Sequence, residues 1–455
     1  MADTALSQVA ASNPRLPVEA CERIIDAVYD NRYSLVQAAL ATLSNCALVC
    51  RAWRTPAQKV LFEYVVLTDK VALYAFAALL DASPELGSYV ITLCLRGYLR
   101  VPFSPLVLFP TLLRGRLTNL SHLYIFELDN DAKTAKPLPA GVKELPILPM
   151  HRYFPFLFTS ISHIRRLVLF GVVFPSFADF ARILCMLPNL RELYCNLVSW
   201  AVLSLVPRCM AKRRSHDSKK TFLPHLELLQ DSRGTQRLVA ALGLSLRSLW
   251  LDLRSIHSLS ELKETPRPLD LRSFPCLDNL LFYLEPLAQP HDSMLGALQE
   301  TLVLWVTPDA REQLKDRPRS RRKQYLYLRP RRALFRREEY VGLLRVIGPV
   351  VEAALCSQAP SADDVQAPHN AIEGEAEAEG DPCRADVVIQ DLGDRLEWAD
   401  WWRTRVQECF PKFAKWKRLG VDPSHDDNPG PKWMDHEQTP VDLPTTTPTA
   451  QCCVS

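Results

Sequence analysis

Two stretches, ISHIRRLVLFG (161–171) and LPNLRELYC (187–195), share one pattern, and how that pattern is read decides the fold. Each begins with an apolar–x–x–Leu entry and closes on a Leu–x–Leu alternation, the period of a β-strand. Outward along the chain the pattern recurs in YVITLCLRG (89–97), LTNLSHLYIF (117–126), LPHLELLQ (223–230), LSLRSLWLDL (244–253) and FPCLDNLLFYL (274–284). Leu123, Leu167, Leu193, Leu249 and Leu280 fall in the same slot, at separations of 44, 26, 56 and 31 residues. Helix-like stretches such as FADFARILCMLP (177–188) and TQRLVAALG (235–243) lie between them. One strand and one helix, repeated every few tens of residues, predict an α/β solenoid over residues 70–356. Its strands stack in parallel and bury alternate leucines, and its helices line the convex side.

The competing reading is a leucine-rich α/β sheet of another kind. Pro188, Pro224 and Pro275 each sit one residue into the entry or its equivalent, which favours the repeat. The segments then read as leucine-rich repeats. The turn asparagine of that repeat is largely missing, with Asn196 the best candidate, and the spacing varies, so the expectation is an irregular solenoid of six to eight units.

Composition sets the bounds. A chain of 455 residues that is 48% hydrophobic and 23% charged can bury a sizeable core. A net charge of +3 supplies no global argument for nucleic-acid binding. Thirty-five prolines against 15 glycines point to many short elements, and no GxGxxG or GxxxxGK loop is present to cradle phosphate. The 13 cysteines form no CxxC pair, and Cys94 and Cys185 sit inside apolar runs, which suits a reducing compartment. The first 12 residues form a polar leader without the features of a signal peptide, and no apolar run is long enough to span a bilayer. The expected location is cytoplasmic, nuclear or both.

At the N-terminus, NPRLPVEACERIIDAVYD (13–30) places Pro17 in the first turn of a helix with Cys21, Ile24, Ile25 and Val28 on one stripe. After a polar connector, LATLSNCALVCRAWRTPAQKVLFEYVVL (40–67) puts Ala47, Leu48, Cys50 and Trp53 on a second helical face, and Pro56 begins a new turn before a strand-like VVL. Three short helices in some fifty residues cannot enclose a core alone, so they either cap the repeats or dock onto something else.

The order LPxE, II, LVCRAW and VVL strongly resembles the F-box, in the divergent form abundant in mushroom-forming fungi. The resemblance rests on Leu16, Pro17, Glu19, Ile24, Ile25, Leu48, Val49, Cys50, Arg51 and Trp53, and the connector between the first two helices is longer than usual. It implies an F-box over residues 13–69 that docks a Skp-family adaptor and, through it, a cullin–RING ubiquitin ligase. The implied adaptor-binding residues are Leu16, Pro17, Ile24, Ile25, Val28, Leu48, Val49, Cys50 and Trp53. Repeats of this sort follow the F-box in many fungal and animal proteins, where their concave face recognises the substrate protein.

Beyond the repeats, ten Lys or Arg lie between Arg317 and Arg337, interleaved with Tyr325, Tyr327 and Phe335. The reading favoured here is a solvated edge around a strand YLYL; nucleic-acid contact or nuclear targeting is the alternative. Residues 357–383 read as an acidic flexible linker. Residues 384–420, with Leu396, Trp398, Trp401, Trp402 and Val406 at helical spacing, read as a C-terminal helical cap, and 421–455 as a disordered tail. The terminal Cys452-Cys453-Val454-Ser455 fits the prenylation pattern on Cys452, without the basic cluster that usually accompanies it.

Nothing points to catalysis, a cofactor or a metal. The ten histidines are dispersed, no HExxH or GxSxG is present, His163 reads as structural, and Asp129 and Asp131 lie in a loop. The expectation is a non-enzymatic α/β protein: a short three-helix F-box, an irregular leucine-rich-repeat solenoid, a helical cap and a tail. It would be the substrate receptor of a cullin–RING ligase, with an adaptor and an unidentified target protein as partners. Nucleic acid and small molecules are not expected partners, and a membrane only if Cys452 is prenylated. The other reading is a leucine-repeat scaffold outside any ligase, tethered by the tail or bound to nucleic acid through the basic stretch.

Overall fold

The computed structural model describes residues 17–28, 36–97, 99, 104–127, 147–151, 153–196, 198–202, 225–229, 246–252, 271, 274, 277–284, 292–306, 324–330, 336–356, 385–390 and 399–422. The protein is mixed α/β and is dominated by one large parallel sheet. Leu16, Asp129, Asp131, Cys452, the leader, the acidic segment 357–383 and nearly all of the tail lie outside the described residues.

The chain begins with three helices, α1 (Val18–Val28), α2 (Val36–Val49) and α3 (Arg51–Glu63). Pro17 precedes α1 instead of lying in its first turn, and its carbonyl accepts from Ala20 N and Cys21 N. Cys21, Ile25 and Val28 turn inward, whereas Ile24 points out. α2 and α3 are separated by a single residue, Cys50, whose backbone is extended (φ −162°, ψ 168°). Its carbonyl opens α3 by accepting from Trp53 N and Arg54 N. Pro56 does not start a new turn; it lies buried inside α3, where its missing N–H forgoes one helical bond. Ile25, Leu43, Cys46, Ala57 and Val60 form the core of the trio, with Val28, Ala47, Trp53 and Leu61 packed against it.

α3 runs with no intervening residue into β1 (Tyr64–Leu67), and Phe62 packs on the core of the sheet. From there the chain alternates strand and return. The main sheet continues through β2 (Thr92–Gly97), β3 (His122–Glu127), β4 (Arg166–Phe170), β6 (Glu192–Asn196), β8 (His225–Leu229), β9 (Ser248–Asp252), β10 (Asn279–Leu284), β11 (Tyr325–Pro330), β12 (Asp386–Gln390) and β13 (Leu419–Asp422). β5 (Val173–Ser176) and β7 (Ser199–Val202) pair with each other in a separate two-stranded sheet. All pairings are parallel and follow chain order, as expected when each strand is followed by a return on the same side. The returns include α4 (Lys70–Ala82), α5 (Pro105–Leu112), α6 (Phe177–Met186), α7 (Asp292–Val306), α8 (Arg337–Cys356) and α9 (Ala399–Cys409).

One ladder crosses the whole sheet: Val65, Leu93, Leu123, Leu167, Leu193, Leu226, Leu249, Leu280, Leu326, Val387 and Leu419 sit side by side. The five leucines assigned to one slot do share it. With the residues two further along most of these strands, such as Leu95, Ile125, Leu169, Leu251, Phe282 and Leu328, they form a single continuous core from Leu67 to Phe413. Gly348 is required within it: the Cys409 carbonyl lies 2.1 Å from where a Cβ would stand, so the backbone of α8 approaches the backbone at the end of α9 directly.

Two expectations need correction. Among the described residues the main sheet has eleven strands, more than six to eight, because YVVL, YLYL, VVIQ and LGVD join it without the full leucine entry. YLYL forms a strand as expected, β11, between β10 and β12, and most of the basic residues around it (317–323 and 331–335) lie outside the described residues. The described part of residues 384–420 is not one capping helix but a strand, α9, a helical turn and the start of another strand, so the described sheet runs past residue 356 to Asp422. Trp402, fully buried against Tyr340 of α8 with ring centroids 5.6 Å apart, belongs to the same core, and Glu352 Oε1 accepts from Lys412 N at 2.6 Å.

Candidate functional site

Two surfaces stand out, one on the trio and one on the sheet. On the trio, α2 ends in apolar residues that its own core does not cover. Leu48 is 84% exposed and Val49 66%, and Ile24 on α1 is 40% exposed. Pro17 and Cys50 are exposed beside them in sequence. The reason is local: a core of five buried side chains fits one stripe of each helix, and the last turn of α2 carries apolar residues beyond that stripe. Large apolar side chains in water at the end of a helix mark a contact surface or a liability.

The sequence-assigned residues therefore divide. Pro17, Ile24, Leu48, Val49 and Cys50 are outward. Ile25 is fully buried and holds the trio together, and Val28 and Trp53 are half-buried against the same core. Ile25 is used up in the trio's core, so of this adjacent pair Ile24 is the one left exposed.

The second surface is the face of the sheet turned away from the helices. Here Cys94, Tyr124, Phe126, Val168 and Tyr194 make a second buried cluster, with Tyr64 and Phe170 packed on it. Tyr124 stacks on Phe126 at 6.2 Å, and Phe126 meets Phe170 at 6.1 Å. Arg166 on β4 donates from Nε to Glu192 on β6 and lies over the Tyr194 ring at 5.6 Å. Tyr194 donates to the same carboxylate at 3.2 Å. Further along, Tyr194, His225, Trp250 and Tyr283 follow at ring separations of 5.3, 4.6 and 6.1 Å. The signal that could have found them is register: Tyr124, Tyr194, Trp250 and Tyr327 each occupy the x of Leu–x–Leu or its equivalent.

Burial shapes the chemistry of this face. It pushes the His225 imidazole down to about 4, and the Arg166 charge adds to that against the opposing pull of Glu192. His122 is lowered for the same leading reason, and the Cys94 thiol is pushed up to about 11. His225 is thus held neutral, and its Nε2 is buried with no hydrogen-bond partner among the described residues. Burial is the largest single effect on Arg166 and opposes its charge, but the Glu192 hydrogen bond and charge, with Tyr194 and Tyr124, together outweigh it and raise the guanidinium above its ordinary value.

His163 lies in the turn before β4, not on the strand, and its Nε2 is 3.0 Å from the Leu117 carbonyl, which ties two neighbouring turns. Asn196 closes β6; its carbonyl accepts from Gly171 N at 2.9 Å, while its Oδ1 has no partner among the described residues. No disulfide is formed among the described residues. Among the described residues no group of three His, Cys, Asp or Glu is placed to hold a metal, and no helix is long and apolar enough to cross a membrane. The chain matches no model of a known protein family and no curated protein.

Proposed function

We propose that this chain is the substrate receptor of a cullin–RING ubiquitin ligase, with the trio as an F-box that docks a Skp-family adaptor and the sheet as an irregular leucine-rich-repeat solenoid that carries the target-binding surface. The observation that supports it best is the exposure of Leu48 and Val49 at 84% and 66%, inside the LVCRAW segment on which the F-box resemblance rests. Adjacent apolar side chains left in water beside a small core are what a helix-packed interface uses as anchors. The chain-ordered parallel sheet with its cross-sheet leucine ladder supports the repeat reading. The direct run of α3 into β1 would then hold a target on the sheet at a set distance from the ligase.

The test is co-purification of the full chain with a purified Skp-family adaptor, beside a Leu48→Asp/Val49→Asp variant. Both side chains are already exposed, so the variant should keep the melting temperature of the wild type while its adaptor binding is lost. Failure of the folded wild-type chain to retain adaptor would overturn the reading and leave a scaffold.

A further inference from the structure

We infer that the entry rim of the sheet, at Arg165 and Arg191, is a binding site for an extended acidic segment of a partner protein. Arg165 and Arg191 are the residues just before β4 and β6. Because Arg166 aligns with Glu192, the two stand directly opposite each other, and Arg191 N donates to the Arg165 carbonyl at 2.7 Å. Arg247 holds the same position before β9, two strands further on. All three residues are exposed, and none is in an ion pair among the described residues.

Neighbouring parallel strands lie about 4.8 Å apart, so Arg165 and Arg191 hold like charges across one strand spacing, where they repel. Other cations nearby are already matched: Arg166, one residue inward, is committed to Glu192, and Arg116 to Asp81. The rim around the pair supplies no acid. Residues 113–122, 158–166 and 187–191, which lead into β3, β4 and β6, contain no Asp or Glu, and Arg114 is a further exposed cation there. Among the described residues the acid of the row is Asp278, opposite Arg247 and three strands from Arg191. The turns are tied to one another, with Asn119 Nδ2 donating to the Ser88 carbonyl at 2.6 Å and Asn189 Nδ2 to the Ser162 carbonyl at 3.1 Å. The field reaches inward as well: His122, lowered first by burial, is lowered further by Arg166 and Arg165 against the pull of Glu192.

Charge and shape select the occupant. The row that carries the pair runs from Ile91 through Ser121 to Gln324 and holds no aromatic ring among the described residues. A nucleic acid would find cations for its phosphates there but no rings on which to stack its bases. Carboxylates match the planar fork of arginine, which grips each with two hydrogen bonds. An extended chain sets alternate side chains about 7 Å apart, within reach of two long arginines on neighbouring strands. Calling this partner the target rests on the receptor reading, whereas the binding itself does not.

The test is fluorescence anisotropy of a labelled decaglutamate peptide with the full chain, without adaptor, over a salt series. Expected are binding that weakens as salt rises, affinity about tenfold lower in an Arg165→Ala/Arg191→Ala variant, and a smaller loss in Arg165→Lys/Arg191→Lys, which keeps the charge but not the fork. An Arg23→Ala/Lys70→Ala variant, which removes as much charge from exposed positions on α1 and α4, should bind as the wild type. Both rim arginines are exposed, so the variants should keep the wild-type melting temperature. Should the alanine pair fail to fold, the lysine pair carries the test. The inference is overturned by absence of binding at low salt, by rim variants that bind as the wild type, by an equal loss in the Arg23→Ala/Lys70→Ala variant, or by an oligouridylate that binds as tightly with the same dependence on Arg165 and Arg191. Peptide binding that persists in a chain unable to retain adaptor would strike the receptor reading and leave this site standing.

Discussion

The sheet and the helical trio solve the same problem, burying apolar side chains, on very different terms. Each interior strand of the sheet has a neighbour on either side, so the slot leucines from Leu93 to Leu326 are 0–1% exposed, and the core continues without a break to Phe413. The trio's hydrophobic cluster holds five buried side chains among the described residues, and Leu48, Val49 and Ile24 are left in water. A repeat satisfies itself by adding copies, whereas a small bundle must stop, and its leftover apolar residues are available to another protein. Buried apolar packing is concentrated in the first region and exposed apolar side chains stand out in the second.

The comparison predicts unequal responses. The largest effect should come from Leu193→Ala, which empties a site between Leu167 and Leu226 and should cost about 2–5 kcal/mol. Chemical denaturation followed by intrinsic fluorescence measures it, and a loss under 1 kcal/mol would break the picture of a continuous ladder. Next is the pH response of His225. Its folded value of about 4 lies below the ordinary 6.5, so between those values the unfolded chain takes a proton that the folded chain refuses. Stability from this group is therefore complete above about pH 6.5, declines as the pH falls, and levels off near 4, a change of about 3 kcal/mol at most. A His225→Phe variant should flatten that part of the stability–pH curve, and an unchanged slope would assign it elsewhere.

Leu43→Ala should cost about 2 kcal/mol and act on the trio alone, since Leu43 is buried in a core separate from that of the sheet. Hydrogen exchange should then quicken in α1–α3 and stay unchanged in β3–β10. Smallest of all, Arg403→Ala breaks an exposed pair with Asp400 on α9 and should move stability by no more than about 0.5 kcal/mol.

Much of the sheet was legible because its period is short and its residue type is uniform; Leu123, Leu167, Leu193, Leu249 and Leu280 needed no more than counting. β11, β12 and β13 were harder. YLYL and VVIQ carry the alternation without the leucine entry, and the tryptophans of 398–402 gave a helical period that hid the strands on either side. The trio was legible as three helices, but the break at Cys50 was not, because no Gly, Pro or capping side chain announces it. Choosing Ile24 over Ile25 as the outward residue depends on helical phase within a packed trio, which sequence spacing alone leaves open. The rings on the face away from the helices were hidden for a different reason: Trp250, Tyr283 and Tyr327 come onto adjoining strands only once parallel register brings distant segments together.

The most direct measurement is hydrogen exchange on the full-length chain with and without saturating Skp-family adaptor. The account predicts strong protection of α1, of the last turn of α2 and of the amides around Cys50, with the sheet from β3 to β12 unchanged. No protection in the trio, or protection confined to the sheet, would contradict it.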